Sequence, residues 1–84
     1  IQSGLPAALK ELAARLSATG NLQVTANDFG LTERLNELQE INLYRITQEW
    51  INNILKYNSP TKINIQLVQH ERSLTYTLED DGKG

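Results

Sequence analysis

Neither cysteine nor methionine occurs in these 84 residues, and there are only two prolines and a single histidine. Without cysteine there is no disulfide framework and no thiolate metal site, which is compatible with a cytosolic setting. One histidine cannot furnish a Cys/His metal cluster, and no Ser-His-Asp arrangement can be assembled around it. Charge of neither sign prevails. Eight Lys and Arg against ten Asp and Glu leave a formal net charge of -2, too near neutral to argue for nucleic acid or an acidic membrane surface. No apolar run approaches a membrane span, and the start lacks signal-peptide architecture. The phosphate-cradling pattern GxxxxGK[ST] is missing too. Starting without Met and stopping at a glycine inside a motif, the chain reads as an excised fragment, one small domain or part of one. A chain of this length buries a modest fraction of its surface and is marginally stable alone.

What is present is periodic. Leu5 to Thr19 reads as a helix with an apolar stripe of Leu5, Ala8, Leu9, Leu12, Ala13 and Leu16 opposite Lys10, Glu11 and Arg15. Pro6 suits its opening turn and Gly20 a left-handed C-terminal cap. Leu22 to Ala26 alternates as a short strand, and Asn27 to Gly30 reads as a loop. Asp28-Phe29-Gly30 spells the magnesium motif of eukaryotic-type protein kinases. No glycine-rich loop or HRD-like segment precedes it, so the match is a coincidence. Thr32 is placed to cap a turn, with residues 33–38 helical or irregular, and a long helix starts between Asn36 and Gln39. Asn58-Ser59-Pro60 stops that helix. Lys62 to Gln69 and Ser73 to Glu79 alternate about a polar break at His70-Glu71-Arg72, predicting an antiparallel hairpin with one buried face. Asp80 then falls where the second strand leaves the sheet.

The helical stretch Leu43 to Tyr57 is the most informative. At about 100° per residue it splits into two halves. Leu43, Tyr44, Ile46, Trp50, Ile51, Ile54, Leu55 and Tyr57 form an apolar arc wide enough to predict more than one packing neighbour. Trp50 and Tyr44 are read as core residues. The opposite half carries Arg45, Gln48, Glu49, Asn52, Asn53 and Lys56. Two consecutive asparagines in mid-helix conflict with helix propensity, and such conflicts tend to mark functional sites. Glu49, Asn53 and Lys56, spaced four and three apart, can meet on one surface. Their oxygens suit a hydrated Mg²⁺ and the lysine suits a polyphosphate.

Glu49-x-x-x-Asn53-x-x-Lys56-Tyr57 resembles the N box of the GHKL ATP-binding superfamily, and Asp80-x-Gly82-x-Gly84 resembles its G1 box. Leu43 to Glu49 looks like the version in bacterial sensor histidine kinases near the nitrate/nitrite-sensor and DesK-type groups. Gly4-Leu5-x-x-Ala8-Leu9 resembles the usual opening of the domain, so the likeness covers nearly the whole chain. It implies an α/β Bergerat sandwich, helices on one face of a mixed sheet. Residues 1–20 would be the linker and first helix, 21–36 a strand and loop, 37–58 the N-box helix, 62–79 the hairpin and 80–84 the start of the G1 loop. The ATP lid, the second glycine box and the phosphoacceptor helical domain would lie elsewhere.

The resemblance also implies roles. Asp80 would accept a hydrogen bond from the adenine amino group, with a plain acidic turn as the alternative. Gly82 and Gly84 would let backbone approach the nucleotide, although DGKG alone also suits a simple turn. Asn53 would ligate Mg²⁺, and Lys56 would contact phosphate or serve the helix dipole. Tyr57 would wall the pocket. Glu49 would be a general base or would orient water and metal. His70, in a hairpin turn, lacks the helical acidic context of a phosphoacceptor. The parent would be a cytoplasmic or membrane-anchored histidine kinase of a two-component system. Acting as a homodimer, it would transfer the ATP γ-phosphoryl to a histidine on its helical domain and then to a response regulator. A regulatory ATP-binding module or ATPase of the same superfamily, and a non-catalytic interaction domain, remain the alternatives. The open hairpin edge predicts association of the isolated piece, which would bind ATP weakly.

Overall fold

Leucines and alanines spaced three and four apart need an apolar surface to lie on. The computed structural model, which describes residues 4–31 and 35–82, provides one as a three-stranded sheet. Helix α1 (Leu5–Ser17) buries Leu5, Leu9, Leu12 and Ala13, and it lies against strand β1 (Gln23–Phe29) and helix α2 (Glu37–Tyr57). It ends two residues before Thr19, the end the sequence predicted. Ala18 forms the C-cap and Gly20 takes a left-handed φ of 93° beyond it. Ser17 then ties helix to strand, its hydroxyl donating to the Val24 carbonyl at 3.2 Å and accepting from the Val24 amide at 2.9 Å.

Strand β1 runs on through Asn27, Asp28 and Phe29, where turn propensity predicted a loop. Pairing overrides local preference here. β1 lies parallel to β2 (Lys62–Gln69) over its full length, from Gln23 opposite Lys62 to Phe29 opposite Val68. The Asp28 carboxylate also gains an ion pair with Lys10 at 2.9 Å. Gly30 then ends the strand at φ 78°, and a β-carbon there would lie 2.8 Å from the Gln69 carbonyl oxygen.

Helix α2 starts within the predicted window. Asn36 caps it, its side chain accepting from the Leu38 amide at 2.8 Å. The possible Thr32 cap and residues 33–34 lie outside the described residues. After the helix, β2 and β3 (Leu74–Asp80) form the antiparallel hairpin, with Ile65 opposite Leu78 and Ile63 opposite Asp80. The sheet order is β1-β2-β3, so β3 has one edge without a strand beside it among the described residues. Val24, Ile63, Ile65, Leu67 and Leu78 point to the helices and form the core with Ile51, Ile54 and the α1 leucines. This is a two-layer α/β sandwich with a mixed sheet, as the resemblance implied. No described helix is long and apolar enough to cross a membrane.

The wide apolar arc of α2 is only partly used. Its buried line runs through Glu40, Thr47, Ile51 and Ile54, with Leu43 and Tyr44 partly covered. Ile46, Trp50, Leu55 and Tyr57 are exposed, Tyr57 by 68%. Trp50 is therefore a rim residue and not a core one. Three strands and one helix are too narrow a platform for a half-circumference arc, and Trp50 reaches only the Tyr76 ring, 6.1 Å away between centroids. Tyr44 is half-buried, its hydroxyl accepting from Arg15 at 3.1 Å.

Candidate functional site

The buried line of α2 fixes where its polar residues can point. With Thr47 and Ile51 turned to the sheet, Glu49, Asn53 and Lys56 lie on the outer side of the helix, and all three are exposed. Among the described residues no hydrogen bond or ion pair joins them. Glu49 borders a groove of about 310 Å³ between the two helices, lined also by Leu12, Leu16, Gln48 and Asn52. Lys56 leans over the neighbouring Tyr57 ring, its Nζ 5.4 Å from the centroid. Asn53 stands about one helical turn, roughly 6 Å along the axis, before Tyr57. Glu49 is about 6 Å further back.

The second motif enters from β3. Asp80 is the last residue of that strand and lies in register with buried Ile63. It shares the strand face of Leu78, the face turned to the helices. Its Oδ2 accepts from the Gly82 amide at 2.9 Å, closing a tight turn. Gly82 abuts the end of α2. A β-carbon built on it would lie 2.6 Å from the Asn58 β-carbon and 2.7 Å from the Asn58 carbonyl oxygen. The first requirement for glycine at this position is thus Asn58, not a ligand. Gly84 lies outside the described residues.

The fold therefore brings Gly82, and with it Asp80, to Asn58 at the C-terminal end of α2, the residue that follows Lys56 and Tyr57 in the chain. Glu49 is the furthest removed. Neither the groove beside Glu49 nor the cleft of about 310 Å³ on the open sheet face includes Asn53, Lys56 or Tyr57. No group of three or more His, Asp and Glu among the described residues could cage a metal ion. The donor set offered is the Asn53 amide oxygen with the Glu49 carboxylate about 6 Å back along the same helix. Such a set is too sparse to cage a bare ion and suits only a hard cation that keeps most of its waters.

Sequence reasoning passed over Asp81. Its Oδ1 accepts from the Thr61 and Lys62 amides, each at 2.8 Å, and its Oδ2 accepts from the Thr61 hydroxyl. These bonds hold its pKa at about 2 although the side chain is exposed. Nothing local marks this, because the donors lie about twenty residues back along the chain. Ser59, between α2 and Thr61, sits at φ 48°, a left-handed conformation that a non-glycine residue keeps only where its surroundings fix it.

The chain is similar to parts of several curated proteins. It is 32% identical over 81 residues, 96% of its length, to the sensor histidine kinase ComP of Bacillus subtilis. It is 38% identical over 60% of its length to the signal transduction histidine-protein kinase/phosphatase UhpB of Salmonella typhimurium. To the sensor protein VraS of Staphylococcus saprophyticus it is 44% identical over 54% of its length. The aligned stretch spans only 10% of the first two relatives and 13% of the third. No family model matches the chain.

Proposed function

We propose, on the premise that this chain is a relative of a segment of the sensor histidine kinases, that it carries the N-box and G1 parts of their ATP–Mg²⁺ site. The observation that supports this reading is the contact of Gly82 with Asn58, which seats the loop after β3 on the end of α2. The segments that carry the two motifs, separated by a hairpin, thereby adjoin through Asn58 and Gly82. In this reading Asp80 accepts from the adenine amino group, and its half-buried carboxylate, already turned by the Gly82 amide, keeps a free oxygen for that purpose. Lys56 and the end of α2 lie on the phosphate side, Tyr57 walls the pocket, and Gly84 continues the close approach of backbone to nucleotide. Asn53 supplies an oxygen to Mg²⁺, and Glu49 orients water around it or acts as a general base.

Bound Mg-ATP would supply the γ-phosphoryl group and its charge-neutralising cation. The protein's part is positioning and electrostatics, since no covalent nucleophile is needed from this segment. The acceptor is a histidine on a separate helical domain of a dimeric parent, and a response regulator receives the group in turn. The GHKL fold assignment, the cytoplasmic placement and the division of residues 1–84 as the first half of an ATP-binding domain belong to the same proposal.

Calorimetric titration of Mg-ATP into the kinase chain carrying this segment tests it. Asn53→Ala and Asp80→Asn should each raise Kd about tenfold or more, the loss of one charge-assisted contact. A folded wild-type chain that ignores Mg-ATP would sink the reading.

A further inference from the structure

The loop after β3 is held at two points, and only one of them belongs to the motif residues. Gly82 lies against Asn58, which continues α2 by donating its amide hydrogen bond to the Ile54 carbonyl at 2.8 Å. Asp81 faces the other way and takes three hydrogen bonds from Thr61 and Lys62, at the entry of β2. Its own amide donates to the Lys62 carbonyl at 3.2 Å. The four residues between Tyr57 and Lys62 are thus bounded by the loop after β3 on both sides. Asn58 meets Gly82, and Thr61 meets Asp81.

We propose that Asp81 is a positioning residue, which registers the loop after β3 on the C-terminal end of α2 and so sets Asp80 and Gly82 relative to Lys56 and Asn53. Its consequence for ligand binding rests on the nucleotide reading above. The side chain acts through the hydrogen bonds it accepts from Thr61 and Lys62, and these favour its ionised form. An asparagine there keeps one oxygen for both amides, and its NH₂ group can donate to the Thr61 hydroxyl, which accepts as readily as it donates. Alanine removes all three contacts. A residue touching metal or phosphate directly would behave differently, because asparagine would forfeit the charge such contact uses.

The experiment compares Asp81→Ala, Asp81→Asn and Thr61→Val in two readouts. The first is amide hydrogen exchange and chemical shift at Asn58, Thr61, Lys62 and Gly82 in this chain without ligand. The second is Mg-ATP affinity of the kinase chain carrying the segment. Expected are a tenfold or greater rise in exchange at Thr61 and Lys62 and displaced Gly82 and Asn58 resonances in Asp81→Ala. Its Kd for Mg-ATP should rise about tenfold. Asp81→Asn and Thr61→Val should each fall between wild type and Asp81→Ala in both readouts. Should Asp81→Ala fail to fold, Asp81→Asn and Thr61→Val still decide, since in each the loss of affinity should follow the displacement of the Gly82 and Asn58 resonances. Equal loss of affinity in Asp81→Asn and Asp81→Ala with undisturbed amides in the former would overturn the proposal in favour of direct ligand contact. Unmoved Gly82 and Asn58 resonances in Asp81→Ala would overturn it outright. Absence of Mg-ATP binding by wild type would instead strike the nucleotide reading, and is recognised by the amide readout remaining as expected.

Discussion

Glu40, in the first turn of α2, caps the start of α1: its Oε2 accepts from the Leu5 amide at 3.0 Å. Helix α1 has no capping side chain of its own at Gly4, whose φ is 86°. The carboxylate instead comes from the other helix, 35 residues on, and is 2% exposed. A negative group at a helix N-terminus meets the positive end of its dipole and satisfies an otherwise unpaired donor. Glu40→Ala should therefore cost about 1–3 kcal/mol, the penalty of leaving a buried donor without its acceptor. Urea denaturation measures this, and Glu40→Gln, which keeps an oxygen, should lose less. An unchanged midpoint in Glu40→Ala would show that the two helix starts are not coupled.

Gly82→Ala should be more damaging than an alanine at an ordinary turn. The added methyl would lie 2.7 Å from the Asn58 carbonyl oxygen, a backbone atom that cannot swing aside. Either the loop lifts off α2 or the helix end moves, at about 1–3 kcal/mol by analogy with overpacked sites. Thermal melts should show the loss, and the Asn58 amide resonance should shift. By contrast, Gly20→Ala meets no atom within 4 Å, although its φ of 93° still strains a side chain. Its effect should stay at that one position.

The pH dependence of folding follows from Asp81. Its pKa is depressed from 3.8 to about 2 in the folded chain by the bonds from Thr61 and Lys62. A depressed carboxylate adds stability that is fully present above the unfolded value and is lost as pH falls through the folded one. The loss attributable to Asp81 thus falls between about pH 4 and pH 2. Urea midpoints followed through that interval should fall less steeply in Asp81→Asn than in wild type. Parallel slopes would mean that the bonds do not persist in solution.

How much of this was written in the sequence depended on whether the cause was local. The ends of α2 were legible because Asn36 and Asn58-Ser59-Pro60 act on their own neighbours. The hairpin was legible because alternation is a property of adjacent residues. The extra length of β1 was not, since Asn27 and Asp28 favour turns and only their partners Gln66 and Leu67, about forty residues later, hold them extended. The exposure of Trp50 was hidden for a related reason: an amphipathic pattern shows which residues seek cover, not how wide the available surface is. At the candidate site, spacing grouped Glu49, Asn53 and Lys56, but the roles of Asp81 and Asn58 arise from contacts across 20 and 24 positions. Those have no local signature.

Thr47 and Tyr76 join α2 to β3 through their hydroxyls, and the Thr47 hydroxyl also bonds the Leu43 carbonyl at 2.7 Å. Thr47 is fully buried. Burial raises the Tyr76 pKa above 10, against the smaller opposing influence of the Thr47 bond. A tyrosine with a raised folded pKa contributes stability that is complete below the unfolded value and declines as pH rises through the folded one. Spectrophotometric titration should accordingly show one of the three tyrosines ionising late, and Tyr76→Phe should abolish that delayed step. The same variant should lose about 0.5–1.5 kcal/mol, one net hydrogen bond. Because the Trp50 ring lies 6.1 Å from that of Tyr76, its fluorescence should change as the late tyrosine ionises, and this coupling should vanish in Tyr76→Phe. If Trp50 emission follows only global unfolding, the contact between the rim of α2 and β3 is not maintained in solution.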